Sequence, residues 1–488
     1  MRKKIKPLVL ALLLPFVVCA QEPSLDTLMN HVRRLSSARF EGRLAGTEGF
    51  DAAAQYVTHV LARYGVQPYQ GDWEQMFEIE RNQIENCTFR TYVNANDTRT
   101  VYVLGKDFAC AGMTGRGYAD ASVVFCGYGI DDPTFNEYAK VDAQGKIVMV
   151  ISGVPSFLPS SVTDRYASLR DKARVAQRHG ACGLVVINMS NSCPPNEVQT
   201  KVYSGELPHL PTFPIIQPHR VCGERLLQGE RFGLDSVVSA LQGSMKPQSF
   251  HLRKKFEIEV NALYHPAALT ENIVGYIPGS DPKYAREYIV VGAHLDHVGM
   301  QGRTCIFPGA DDNATGVAAL LETARLMQFV EDKPKRSVVF VLFSGGESQH
   351  VGSQIFVSNF SPLKRIEAFV GIESVGSGDS LAVLGNNQYP ALWDLAARMD
   401  STHTQSMVHG YKTDPRGDAA SFNYIGIPSI TITNFNGNKH NHVPSDIAEN
   451  VDRQFLLKAA KLSFEVVYEL SSGEYQGRSR ASRRFRFE

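Results

Sequence analysis

Between Tyr288 and Ser353 the chain alternates short apolar runs with acidic loops, and this order narrows the fold more than any other stretch. Tyr288-Ile-Val-Val-Gly-Ala293 has the length and composition of a buried strand and runs into His294-Leu-Asp-His297. Gly309-Ala-Asp-Asp-Asn-Ala-Thr-Gly316 then opens a predicted helix with Val317, Leu320, Leu321 and Ala324 on one face. Ser337-Val-Val-Phe-Val-Leu-Phe343 is a second buried strand, ending in Ser344-Gly-Gly-Glu-Ser348. Open α/β sheets place their sites at the carboxyl ends of strands, which is where these polar residues gather.

These residues resemble the M28 family of zinc aminopeptidases. His294 with Asp296, Asp311 with Asp312, and Glu347 fit its His-x-Asp, Asp-Asp and Glu-Glu elements in order. Gly352-Ser353 fits the Gly-Ser that follows the Glu pair, Asp418 and Phe422 fit an Asp-x-x-x-Phe, and His442 fits the final His. Counting back from Gly352-Ser353 puts Glu347 on the metal-binding Glu and Gly346 on the Glu that is the family's general base. Glu373 stands where an Asp ligand is usual, and Asn441 where a Tyr often precedes the last His.

The resemblance implies a three-layer α/β/α phosphorylase/hydrolase-like domain with a mixed eight-stranded sheet, holding two zinc ions. Asp311 would bridge them. His294 and Glu373 would complete one site, Glu347 and His442 the other. Asp296 would orient His294, and the Asp311–Asp312 peptide would be cis. His297 and His440 have no ligand counterpart and read as ordinary polar residues. Each expected ligand also has a plain reading: Asp311-Asp312 as a helix cap, Glu347 as a first-turn acid, His294, Glu373 and His442 as polar loop residues. Their joint order and spacing favour metal.

The implied activity is removal of N-terminal residues from peptides or protein N-termini. Gly346 supplies no base, a role worth ~10²–10⁴-fold in rate. Three outcomes stay open: Glu373, His350 or Asp312 stands in, turnover is slow, or the chain binds metal and peptide without cutting. A glutaminyl-cyclase-like activity on a one-zinc site is a further alternative, although that relative also uses the missing Glu. Gly346→Glu is expected to bring a large gain.

Along the 488 residues five segments are expected. Residues 1–20 read as a secretory signal peptide, with a basic start, an apolar run from Pro7 to Val18 and small residues before Gln21. The reading places the protein in the periplasm or outside the cell. Cys19 admits a lipoprotein anchor, which the bulky Val18 disfavours. Residues 21–80 begin the peptidase domain with two helices around Glu41-Gly-Arg-Leu-Ala-Gly-Thr47, a loop read as an ion pair and turn.

Residues 81–250 are β-rich, with runs at 122–130, 145–152 and 183–188 and a helix from Asp171 to His179. They resemble a protease-associated (PA) domain, which acts as a lid or contacts substrates and partners. Residues 251–470 return to the peptidase domain, with strands near 381–385 and 427–433 and a closing helix, and 471–488 form an Arg-rich tail. Fifty basic and fifty acidic residues cancel, so no global field points to nucleic acid or an acidic membrane. No run after the leader is long enough to span a bilayer. Seven cysteines remain without Cys19, none with zinc-knuckle spacing, and Cys182 reads as a small core residue.

Overall fold

A computed structural model describes residues 22–189, 209–361, 363–410, 413–437 and 439–476. The expected signal peptide, Cys19, Cys193 and the Arg-rich stretch 477–488 lie outside the described residues.

The chain opens with α1 (Leu25–Leu35), capped by Ser24 Oγ accepting from Thr27 N at 3.2 Å, with Asp26 in its first turn and Arg33 and Arg34 in its last. Its Leu28, Met29, Val32 and Leu35 are buried. Next, α2 (Glu48–Arg63) is capped by Thr47 and stops at Gly65, whose φ of 71° suits a residue without a Cβ. Two strands then dominate the chain: β1 (Glu74–Tyr92) and, much later, β6 (Phe250–Ile277). Between them lie β2 (Gly117–Phe125), β3 (Ile147–Ile151), α3 (Leu169–Arg178), β4 (Gly183–Ile187) and β5 (Ile215–Pro218).

After β6 come β7 (Tyr288–His294), α4 (Gly316–Leu326), β8 (Ser337–Phe343) and α5 (Val351–Asn359). The chain ends with β9 (Ile366–Ile372), β10 (Ser380–Leu384), α6 (Ala419–Tyr424), β11 (Ser429–Phe435) and α7 (Arg453–Ser471).

One sheet runs β10-β11-β9-β7-β8-β6-β2-β3-β4-β5. In its first half β7 is parallel to β8 and β9, and β9 to β11, while β10 and β6 run antiparallel at the two sides. β7 and β8 are in register from Tyr288↔Ser337 to His294↔Phe343, so both release their loops at the same edge. Gln67–Pro68 and the start of β1 pair with the far side of β6, making eight strands in this half among the described residues. One face is covered by α1, α2, α4 and α7, through residues such as Leu28, Val57, Leu320 and Leu456. The other is covered by Phe356 and Phe422 of α5 and α6 against Val290, Val341 and Phe369. This is the expected three-layer α/β/α order. Side chains such as Val290 and Val341 are fully buried, each worth about 1.5–3 kcal/mol.

β1 and β6 pair antiparallel from Lys255↔Tyr92 to Ile273↔Glu74, with irregularities at Asn261/Ala262 and His265/Ala268. They carry the chain into a second core that extends from Ile84 to Ala262 around β2–β5 and α3. The expected limits at 81 and 250 therefore fall on continuous strands. The described cysteines Cys87, Cys110, Cys126, Cys182, Cys222 and Cys305 are free, and Cys182 is half-buried. No helix of the described residues is long and apolar enough to cross a membrane.

Candidate metal centre

The edge where β7, β8 and β9 end carries a compact set of donors. One donor atom each from His297, Asp312, Glu347 and His442 lie within 4.8 Å of one another. His442 Nε2 is 3.0 Å from Glu347 Oε2 and 3.3 Å from Asp312 Oδ2. His297 Nδ1 is 3.1 Å from Glu347 Oε1 and 3.7 Å from Asp312 Oδ2. On the other side of Asp312, Oδ1 lies 3.4 Å from His294 Nε2. The two oxygens of Asp312 thus face different histidines.

The loop after residue 309 is held by backbone-directed side chains. Asp446 accepts from Asp311 N at 2.8 Å and from Asp312 N at 3.1 Å. Asn313 Nδ2 donates to His294 O and Ile372 O, and its Oδ1 accepts from Ser374 N, which ties the ends of β7 and β9 together. The cis peptide is Asp312–Asn313, one residue beyond the expected place. Asp311 turns away from the cluster. Its carboxylate accepts from Gly376 N at 2.7 Å and Ser377 Oγ at 2.5 Å. Asp312, not Asp311, is the aspartate that faces the histidines of the cluster.

Asp296 reaches beyond His294. Its carboxylate accepts from Gly346 N at 2.8 Å and Glu347 N at 3.2 Å, and stays 3.8 Å from His294 Nδ1. That imidazole nitrogen instead meets the Asp296 carbonyl at 3.1 Å. Asp296 therefore fixes the turn that presents Glu347. The next helix starts only at Val351, so Glu347 is no first-turn acid and sits in a turn with Gly345, Gln349 and His350 at positive φ.

Arg43, from the loop before α2, donates to the carbonyls of Leu295, Leu35, Pro308 and Gly309. It makes no ion pair within 4 Å among the described residues, so the expected ion pair at Glu41-Gly-Arg43 is a carbonyl cage instead.

The electrostatics follow from burial and crowding. Burial opposes charge on His294 and His442, yet Asp312 beside His294, and Glu347 with Asp312 beside His442, hold both imidazoles well above their ordinary pKa. Burial likewise opposes charge on Asp312 and Glu347, but their histidine neighbours pull both carboxylates down. Burial lowers the pKa of His297 and raises that of Glu373. It pushes Asp296 to about 7, Asp311 to about 6 and Asp446 to about 8.

Glu373 feels the charges of His294 and His350, and its Oε2 lies against Gly417. His350 Nδ1 stands 3.7 Å from Asp418 Oδ1, and both atoms are buried without a hydrogen-bond partner. His440 bonds Ser445 Oγ at 2.8 Å, the ordinary polar role expected of it.

Imidazole nitrogens and carboxylate oxygens crowded this closely suit a divalent ion that accepts N and O ligands, zinc among them. His297 Nε2, buried with no partner, is a further sign that this set is not closed by hydrogen bonds alone. Reading the sequence missed His297 and Asp446. Two imidazoles three residues apart after a buried strand were the available signal for the first. For Asp446, only its place four residues after His442 pointed to the site.

Residues 272–467 match the profile of Peptidase family M28, and residues 100–217 that of the PA domain. A protein named probable leucine aminopeptidase from Arthroderma otae is 28% identical over 214 residues, covering 41% of this chain and 57% of that protein. The chain thus spans less than two thirds of that curated relative. A zinc aminopeptidase from Bacillus subtilis superposes with a TM-score of 0.65 at 18% identity, covering 93% of this chain and 97% of the other. An aminopeptidase from Aneurinibacillus sp. strain AM-1 gives 0.63 at 20% identity, covering 92% and 94%. At these identities the structural likeness speaks for the fold.

Proposed function

Since residues 272–467 form a domain of peptidase family M28 and residues 100–217 a PA domain, we propose that the protein is an exported zinc-dependent aminopeptidase working slowly for want of a base at residue 346. The observation that carries the reading is the convergence of His297, Asp312, Glu347 and His442. Asp312, Glu347, His442 and His297, with His294 and Glu373 beside them, would hold the zinc. Ions held there supply Lewis-acid polarisation of a carbonyl and acidify water.

The chain's own residues set the geometry. Asp446 and Asn313 fix the backbone on either side of Asp312, and Asp296 fixes the turn that carries Glu347. Ser374 Oγ donates to Asp312 Oδ1 at 3.3 Å and keeps that oxygen turned toward His294. Residue 346 offers only its backbone N–H, already spent on Asp296. Moving a proton to the leaving amine therefore falls to another group, and the imidazole of His350, beside Asp418, is a candidate for it. The PA domain would cap the site or contact protein substrates.

Metal analysis after dialysis, run beside turnover of a panel of aminoacyl-anilides with and without chelator, tests this. Zinc at one to two per chain with slow, chelator-sensitive release of N-terminal residues is the expected result. One observation favours a second reading, a metal- and peptide-binding protein without turnover: a Cβ at residue 346 would collide with His294. Stoichiometric zinc with no turnover on the whole panel would decide for it. A chain that binds no divalent ion would end both.

A further inference from the structure

We infer that the cavity beside Glu373 receives an anionic side chain and that Arg416 is the residue selecting it. This rests on the peptidase reading and names the substrate class. The cavity has a volume of about 360 Å³ and is lined by Glu373, Ser374, Leu384, Arg416, Thr433 and Phe435. It adjoins the donor cluster directly, because Ser374 Oγ donates to Asp312 Oδ1. A peptide whose first carbonyl lies at Asp312 would project its first side chain here.

The charges within reach are few. Glu373 is one of them, and its Oε2 lies against Gly417 at the wall of the cavity. The other charged group in the lining is Arg416. Its backbone is pinned, with its carbonyl accepting from Thr431 Oγ1 at 2.8 Å. The next residue, Gly417 at φ 62°, packs so closely on Glu373 Oε2 that a Cβ has no room. The guanidinium itself is exposed and has no partner among the described residues.

The two lining asparagines are already engaged. Asn434 Nδ2 donates to Ser374 O at 2.7 Å while its Oδ1 accepts from Gly437 N at 2.8 Å, and Asn436 Nδ2 donates to Asp379. An amide side chain would find little to bond, and an ammonium would meet a like charge. A carboxylate would meet an uncompensated guanidinium able to bind it in a two-pronged fashion.

The test is calorimetric titration of the zinc-loaded full chain with L-glutamate, L-aspartate, L-leucine and L-lysine, on the wild type, Arg416→Ala and Arg416→Glu. Binding is read directly, so slow turnover does not obscure it. An exposed pair of this kind is worth up to ~1 kcal/mol, so an acidic amino acid should bind about fivefold tighter than leucine. Arg416→Ala should erase that margin, and Arg416→Glu should turn the preference toward lysine. Leucine bound as well as glutamate, with neither variant changing the order, would overturn the role of Arg416 and leave the peptidase reading standing. Bound zinc with no amino acid binding at all would overturn both.

Discussion

Gly346 lies flat against His294. A Cβ built on Gly346 would stand 2.9 Å from His294 Nδ1 and nearer still to its Cβ and Cγ. These are the root atoms of a buried imidazole that is itself fixed by the Asp296 carbonyl and Asp312. The sequence suggests that restoring Glu at 346 should restore a base. The packing argues otherwise, because side chains forced into filled space typically cost 1–3 kcal/mol and displace their neighbours. Both Gly346→Ala and Gly346→Glu should lower thermal stability and weaken metal binding, with no gain in turnover. A Gly346→Glu protein that keeps its melting temperature and gains tenfold or more in rate would show that the turn carrying Glu347 moves freely.

Asp311 and Asp312 are neighbours with opposite duties, and metal content separates them. Asp312 presents one oxygen to His294 and the other to His442. Asp311 instead secures Gly376 and Ser377. Asp312→Asn should lose most bound metal after dialysis. Asp311→Asn should keep it, with a stability loss of about 1 kcal/mol for a weakened hydrogen bond. His297→Ala should hold metal about 10–100-fold more weakly if its imidazole supports the site from close range. Elemental analysis of the three variants decides. Metal lost from Asp311→Asn and retained by Asp312→Asn would reverse the assignment.

That one-residue shift shows what the sequence can and cannot say. The strand runs at 288–293, 337–343 and 183–188 were visible because their apolar residues are uninterrupted, and a parallel buried strand has no polar face. The length of β1 and β6 was not, because their exposure alternates and breaks at irregularities. At the site, motif order brought His294, Glu347 and His442 to one edge. It could not choose between adjacent aspartates, since that depends on Asp446 gripping two successive N–H groups from far along the chain. Nor could it see Asp296 reaching the 346–347 turn, a contact fifty residues long.

His31 is a buried base whose protonation should be visible in stability. It is 4% exposed on α1, with Nδ1 2.7 Å from Tyr56 Oη, and burial lowers its pKa from 6.5 to about 4. Between those values the unfolded chain binds a proton that the folded chain refuses, so stability falls as pH drops from 6.5 toward 4. The contribution at stake is about 3 kcal/mol. Melting temperature followed over that range should decline less steeply in His31→Phe than in the wild type. Parallel curves would mean that the imidazole is protonated in the fold or reaches water.

Arg43 ties the helical start of the domain to the two loops that carry the donors. It is fully buried, and burial lowers its pKa only to about 10, so it stays charged. Its guanidinium serves carbonyls in different places: Leu35 at the end of α1, Leu295 beside His294, and Pro308 and Gly309 ahead of Asp312. Each carbonyl left without a donor costs ~1–3 kcal/mol. Arg43→Ala should therefore be among the most damaging single changes, at about 4 kcal/mol or more. It should also weaken metal binding, because Leu295 and Gly309 lose their common anchor. Arg43→Lys keeps the charge but gathers its donors at a single nitrogen and cannot span carbonyls on separate segments. It should recover less than half of the loss. Full recovery by lysine, in melting temperature and metal affinity alike, would mean that positive charge rather than the forked geometry holds these loops together.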